Sequence, residues 1–223
     1  MTTRMHHVTL KGRAEPIRVG KIVCMGRNYV AHIEELNNEP PGAPMFFIKP
    51  STALAPMEEP VRIPSYSSKA RHELELALLM GKELFEAEAD EVYPAIAGYG
   101  AAIDVTLQDV QDKLKAKGHP WEIAKAFDGS CPISEFVPAS DVPDPQDVLI
   151  SMKVNGRQRH NGSTKLMIYD IPKIVSAASR YFTLEEGDIV LTGTPAGVGS
   201  LEPGDELEME IERVGKFRST VAR

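Results

Sequence analysis

The clearest pattern in the chain lies over residues 71–80, where acidic and apolar residues alternate before the run becomes wholly apolar. Alternation at period two marks a strand, because residues two apart share a face. Glu73 and Glu75 are therefore expected to project side by side, with Leu74 and Leu76 packed the other way. Short strands are also expected over 5–10 and 16–19, around the Lys11-Gly12 turn, and over 21–26 and 45–50. Asn155-Gly156, between 149–154 and 157–160, is the strongest hairpin signal in the chain. A helix is expected over 87–100, with Ala89, Val92, Ile96 and Ala97 inward and glycines at its end. A strand of small and β-branched residues over 101–106 follows. The next helix, 106–117, gathers its lysines at the C-terminal end, as the helix dipole favours. Asp170-Ile171-Pro172 opens another helix, to about Phe182, with aspartate as cap and proline in the first turn. A short helix over 30–36 takes Asn28 as its candidate cap. Residues 37–44, rich in Asn, Pro and Gly, read as a loop that lets this helix move as a lid. Leu184-Glu185-Glu186-Gly187-Asp188 is echoed by Leu201-Glu202-Pro203-Gly204-Asp205. These are two turns that each feed a strand, which predicts a β-meander rather than a repeat architecture.

Composition narrows the functional classes. With 223 residues and 42% apolar content, the chain supports one substantial core. No apolar run approaches a membrane-spanning length and the N-terminus carries no secretory signal, so no membrane partner and a cytoplasmic location are expected. A net charge of −7 without a lysine–arginine cluster argues against nucleic acid. Cys24 and Cys131 form no CxxC pair and are expected to behave as small buried hydrophobes.

Several positions carry candidate chemistry. Two carboxylates on one strand face beside a buried apolar run repel each other unless neutralised. A divalent cation is the simplest partner, and carboxylate oxygens suit Mg²⁺, Mn²⁺ or Ca²⁺. Solvated glutamates on an edge strand are the plain alternative. Asp104, alone in apolar company, is a candidate third ligand, or else a cap for the following helix. His32 and Glu35, three apart on the short helix, have the arrangement of a general base oriented by a carboxylate, or of a surface ion pair. Lys49, at the end of a buried strand, needs an anionic partner. His6 and His7 point to opposite faces of a strand and read as surface residues. The glycine-rich stretch 192–199 matches neither a P-loop nor a dinucleotide fingerprint, so no nucleotide cofactor is expected. Its amides and the Thr194 hydroxyl have the chemistry to grip a carboxylate.

Taken in order, Gly26-Arg27-Asn28-Tyr29, His72-Glu73-Leu74-Glu75, Asp104-Val105-Thr106, Lys125-Ala126-Phe127-Asp128 and Thr192-Gly193-Thr194-Pro195-Ala196-Gly197-Val198-Gly199 resemble the fumarylacetoacetate hydrolase superfamily. Asp109-Val110-Gln111-Asp112 and Gly118-His119-Pro120-Trp121 are similar to its short, single-domain branch of acylpyruvate hydrolases and oxaloacetate decarboxylases. The resemblance implies an α+β fold, a β-rich mixed β-sandwich roll with a few peripheral helices. It implies a catalytic domain over 21–223, with 1–20 a short β segment packed on it. It also implies Mg²⁺ or Mn²⁺ held by Glu73, Glu75 and Asp104, with Ca²⁺ as a non-native occupant, and a homodimer. His32 and Glu35 would activate water on the lid, and Lys125 would contact the oxygens of a small 2-oxo acid. Arg27, Tyr29, Lys49, Gln111, Gly193 and Thr194 would complete the substrate pocket. The activity implied first is hydrolysis of the C3–C4 bond of acylpyruvates such as acetylpyruvate or fumarylpyruvate. Oxaloacetate decarboxylation, or isomerisation or hydration of 2-oxo-alkenoic diacids, is the alternative on the same site. A non-catalytic binding protein is a third reading, against which the complete acid triad and dyad argue. One departure stands out: relatives often place arginine where this chain has Gln108, which is expected to alter preference for a second substrate carboxylate.

Overall fold

A mixed eight-stranded sheet forms the frame of the computed structural model, which describes residues 6–35 and 42–223. Along its hydrogen-bonded path seven strands run Met45–Pro50, Lys21–Gly26, Ile189–Leu191, Leu74–Met80, Ile96–Ile103, Cys131–Ile133 and Leu54–Pro56, and the eighth, Val137–Pro138, pairs with Ile96–Ile103 off that path. Leu74–Met80 is central and buried at every position. Period two explains its wholly apolar tail. Leu74, Leu76, Leu78 and Met80 enter one apolar cluster, while Ala77 and Leu79 enter a second on the opposite face. A strand covered on both faces has no solvent side on which to place polar residues.

The first cluster extends to a five-stranded sheet of Arg157–Ser163, Leu149–Val154, Glu206–Ile211, Gly215–Ala222 and Val61–Arg62, and to the inner face of the helix Ile171–Ser179. The second takes in Val8, Ile17 and Val19 from the N-terminal ribbon of His7–Val8 and Ile17–Arg18. Strands dominate and the few helices are short, so the β-rich α+β roll expected from the sequence is the architecture observed. The Asn155-Gly156 hairpin forms with both residues at positive φ (51° and 71°), as its turn type requires. Asp170 caps the Ile171–Ser179 helix by accepting a hydrogen bond from the Lys173 amide at 2.9 Å.

Four expectations are corrected. Residues 71–80 do not form one strand. Ala70–His72 pairs with Thr106–Leu107 and Gly199–Leu201 in a separate three-stranded sheet, and Glu73 falls where the chain passes from one sheet to the other. The helix expected over 87–100 covers only Ala89–Ala95, and Ile96–Ile103 is a strand. Its glycines are close-approach positions rather than helix stops: a Cβ on Gly98 would lie 2.4 Å from the Val137 carbonyl oxygen. The two echoed C-terminal turns are alike, with Asp188 and Asp205 each accepting an amide hydrogen bond three residues back at 2.8 Å. They feed strands of different sheets, so they are not a meander. Asn28 does not cap the short helix Val30–Glu35. Its amide group pins two distant segments, donating to the Tyr169 and Thr192 carbonyls and accepting from the Tyr169 amide. Most of the 37–44 loop lies outside the described residues, as does the start of the strand expected over 5–10.

Candidate active site

The sheet changeover at Glu73 builds the acidic centre. The Asp104 amide donates to the Glu73 carbonyl at 2.8 Å, which sets the end of Ile96–Ile103 beside the start of Leu74–Met80. Glu75, one residue into the central strand, faces the same space. Oxygens of Glu73, Glu75 and Asp104 lie within 4.8 Å of one another. Each acid is held separately. Glu73 accepts from the Thr106 hydroxyl at 3.0 Å, and Glu75 from the Gly193 amide at 2.7 Å. The Lys125 ammonium bridges Glu73 and Asp104 at 2.9 and 2.6 Å. The Lys49 ammonium lies 2.9 Å from Asp104 Oδ1 as an ion pair, but off the axis of a hydrogen bond. Lys49 donates instead to the Ser130 hydroxyl and carbonyl and to the Lys125 carbonyl. Asp104 Oδ1 is consequently buried with no hydrogen-bond partner among the described residues.

Charge in this enclosure is unbalanced, with three carboxylates meeting two ammonium groups. Burial, together with Asp104 and Glu73, pushes the Glu75 carboxyl well above its ordinary range. For Glu73 burial works in the same direction, but Lys125 outweighs it and holds the acid below its ordinary range. Lys125 is held above the ordinary ammonium range because Asp104 and Glu73 outweigh its burial. Three converging oxygen donors, one carrying an unused buried lone pair, fit a hard divalent cation such as Mg²⁺ or Mn²⁺.

The cleft over these acids is lined by most of the substrate and catalytic residues expected from the sequence: Arg27, His32, Gln111, Lys125, Gly193 and Thr194. Four others lie outside that lining, namely Glu35, Lys49, Tyr29 and Gln108. Lys49 is fully enclosed behind Asp104, where it faces the acid and not the cleft. Tyr29 is 2% exposed and also outside the lining, its hydroxyl without a partner among the described residues. Gln108 donates to Asp112, one turn along its own helix, and does not reach the cleft wall. The cleft adds residues that the sequence reading passed over, namely Lys115, Phe47 and Trp121. Lys115 had a legible signal, since it lies four residues after Gln111 on the helix Gln108–Ala116 and so shares its face. Phe47 and Trp121, in contrast, meet only in the folded chain.

The glycine-rich stretch does grip carboxylates, and they are the protein's own. Gly193 N–H holds Glu75, while Gly197 and Val198 N–H hold Glu35 at 3.1–3.3 Å. The Thr194 hydroxyl donates to the Leu74 carbonyl at 2.8 Å, tying the loop to the central strand. Glu35 is thus anchored to the loop, with its carboxylate 3.6 Å from His32 Nδ1, a contact too long for a hydrogen bond. Beneath the loop lie two fully buried histidines. His160 Nδ1 contacts the Pro195 and Ala196 carbonyls at 3.1 and 3.0 Å, and so carries the proton. Its Nε2 is left to accept from His72 Nδ1 at 3.0 Å. Burial, then the neighbouring His160, bring the His72 pKa down to about 3.

A β-rich roll whose sheet changeover presents three acids to a cleft defines a scaffold able to hold a divalent cation on carboxylates. The chain belongs to the fumarylacetoacetate hydrolase family: the model described as "Fumarylacetoacetate (FAA) hydrolase C-terminal" matches residues 21–222. Oxaloacetate tautomerase YcgM of Escherichia coli K12 is 48% identical over 92% of this chain and 94% of its own length. The mitochondrial oxaloacetate tautomerase FAHD1 of Bos taurus is 46% identical over 91% of each chain. Among solved structures, fumarylpyruvate hydrolase from Pseudomonas aeruginosa in complex with Mn²⁺ and pyruvate superposes with a TM-score of 0.93 at 33% identity. That match covers all of this chain and 97% of the other. These relatives are enzymes, and the hydrolases among them are the more distant. No helix among the described residues is long and apolar enough to cross a membrane.

Proposed function

We propose that this protein is a metal-dependent enzyme that interconverts the enol and keto forms of oxaloacetate, with decarboxylation of the same substrate as a side reaction. The observation that carries the chemistry is Lys125, a buried cation aimed at Glu73 and Asp104 in the wall of the cleft. A 2-oxo acid seated over the three acids places its 2-oxo oxygen beside this ammonium. Negative charge developing on that oxygen is then stabilised in a largely water-excluded space. The enolate so favoured is common to tautomerisation, decarboxylation and acylpyruvate cleavage. The similarity to proteins named oxaloacetate tautomerase, at 46–48% identity, supports the first of these over hydrolysis.

Glu73, Glu75 and Asp104 are the residues that would hold Mg²⁺ or Mn²⁺, which when bound supplies Lewis-acid stabilisation of the 2-oxo oxygen. His32 lines the cleft and is the group placed to carry a proton to or from C3 of the substrate. In the enol-to-keto direction C3 gains one proton and the C2 hydroxyl loses one, so substrate and product differ only in proton position. Glu35, anchored by Gly197 and Val198, keeps the His32 ring oriented. Gln111, buried and facing the cleft, has an amide available to a substrate carboxylate.

The His32–Glu35 contact also suits activation of water, which favours acylpyruvate hydrolysis as the second reading. The deciding experiment follows ketonisation of enol-oxaloacetate and cleavage of acetylpyruvate and fumarylpyruvate, each with Mn²⁺ or Mg²⁺ and with excess chelator. Cation-dependent ketonisation, faster than either cleavage, is the expected result. Cleavage without accelerated ketonisation would return the assignment to a hydrolase.

A further inference from the structure

We propose that Lys115 is the receptor for the substrate's distal carboxylate, making the cleft selective for 2-oxo diacids over 2-oxo monoacids. The proposal deepens the reading of the site as one for oxaloacetate and rests on it.

Gln111 and Lys115 lie four residues apart on the helix Gln108–Ala116, so both project from one face with about 6 Å of rise between them. Gln111 is 5% exposed and sits deep, whereas Lys115 is exposed at the cleft mouth. The helix therefore presents first an amide and then a cation along the path leading outward from the acids. An aromatic pair spaces the two ammonium groups of the wall. The Lys125 Nζ lies 5.1 Å from the centre of the Phe47 ring, and the Phe47 and Trp121 rings lie 6.3 Å apart. The Lys115 Nζ lies 5.2 Å from the centre of the Trp121 ring. The wall thus runs cation, aromatic, aromatic, cation. It can stabilise the 2-oxo oxygen of a diacid at one end and its far carboxylate at the other, and shed water between them.

The position of Lys115 is also unspent. Among the described residues it forms no ion pair, and the Trp121 face steadies it without neutralising it. Partial desolvation of its ammonium by the cleft wall, then the charge of Arg27 on the same cleft, lowers its pKa, so an incoming anion relieves an existing repulsion. Gln108, on the same helix, is turned to Asp112 and takes no part in the wall. In this chain the recognition of a second carboxylate passes to the residue two turns further along the same helix.

The test uses unreactive 2-hydroxy acids that differ only at the far end, malate and 2-hydroxybutyrate, titrated calorimetrically into the Mn²⁺-loaded protein. The wild-type protein is expected to bind malate about tenfold more tightly, as one charge-assisted contact implies. Lys115→Met should bring the two affinities to within about twofold by weakening malate alone, and Lys115→Arg should restore the preference. Unchanged Mn²⁺ affinity would show that each variant keeps the site. A preference that survives Lys115→Met, an equal loss for both ligands, or no wild-type preference at all would overturn the assignment. A wild-type preference for malate without any ketonisation of enol-oxaloacetate would instead sink the activity and leave Lys115 in its role.

Discussion

Lys49 shows how far one residue's meaning depends on what surrounds it. From the sequence it is a buried amine in need of an anion, and the resemblance makes it a substrate contact. In the fold its partner is Asp104, and it is wholly enclosed. Its removal is a question of stability before it is one of binding. With Lys49→Met, Asp104 loses a cation while remaining buried, which is expected to cost about 3–5 kcal/mol in the metal-free protein. Saturating Mn²⁺ should recover part of that loss, since a cation bound only by the folded state stabilises it by mass action. Urea denaturation with and without Mn²⁺ measures both. A variant of wild-type stability with a raised KM would return Lys49 to the substrate pocket.

At the scale of elements, the 192–199 loop joins the site together. It touches Glu75 through Gly193, Glu35 through Gly197 and Val198, and His160 through its Pro195 and Ala196 carbonyls. Gly197 makes this geometry possible. Its φ is 107°, and a Cβ there would lie 2.2 Å from the Arg159 carbonyl oxygen. Gly197→Ala therefore has to shift the loop, at a strain of about 1–3 kcal/mol. The amides holding Glu35 move with it while the three acids stay on their strands. The expected outcome is a kcat lowered at least tenfold with Mn²⁺ affinity within about twofold of wild type. Equal loss of both would mean that the loop supports the acids more than the His32–Glu35 contact. The sequence shows a glycine-rich stretch able to hold carboxylates. It does not show which ones, because Glu35 and Glu75 reach the loop from elements more than a hundred residues earlier.

Over the whole molecule, the buried His72–His160 pair links pH to stability. Burial, then His160, keep His72 neutral down to about pH 3, whereas the unfolded side chain protonates near 6.5. His160 is lowered as well, its burial outweighing the carbonyls it contacts. Between these limits the unfolded histidine binds a proton that the folded one does not, so the pair's contribution to stability is complete above about pH 6.5 and falls on acidification, while the raised Glu75 carboxyl works the other way. Neutral His72 removes about 1.4 kcal/mol per pH unit inside that window, and His160 acts in the same direction. From pH 7 to pH 5, urea denaturation in the presence of chelator should show a loss of about 2 kcal/mol from His72 alone. A loss no larger than that of His72→Gln over the same range would mean that the pair accepts a proton in the folded state.

What the sequence by itself determined is local and periodic. Alternation marked the central strand, Asn155-Gly156 the hairpin of the five-stranded sheet, and Asp170 with Pro172 the start of a helix, because each signal is carried by residues that are neighbours in the chain. The acids of 73, 75 and 104 were visible as polar residues out of place in apolar company, and the fold brings them together. Tertiary structure decided the rest. The break at Glu73, the strand that replaces the end of a helix after Ala95, and the retirement of Lys49, Tyr29 and Gln108 from the cleft all follow from packing between distant segments. The pairing of Phe47 with Trp121, which places Lys115 and Lys125 at opposite ends of one wall, has the same origin. Local pattern records which face of an element is buried, while the partner buried against it is chosen only when sheets and helices close on a shared core.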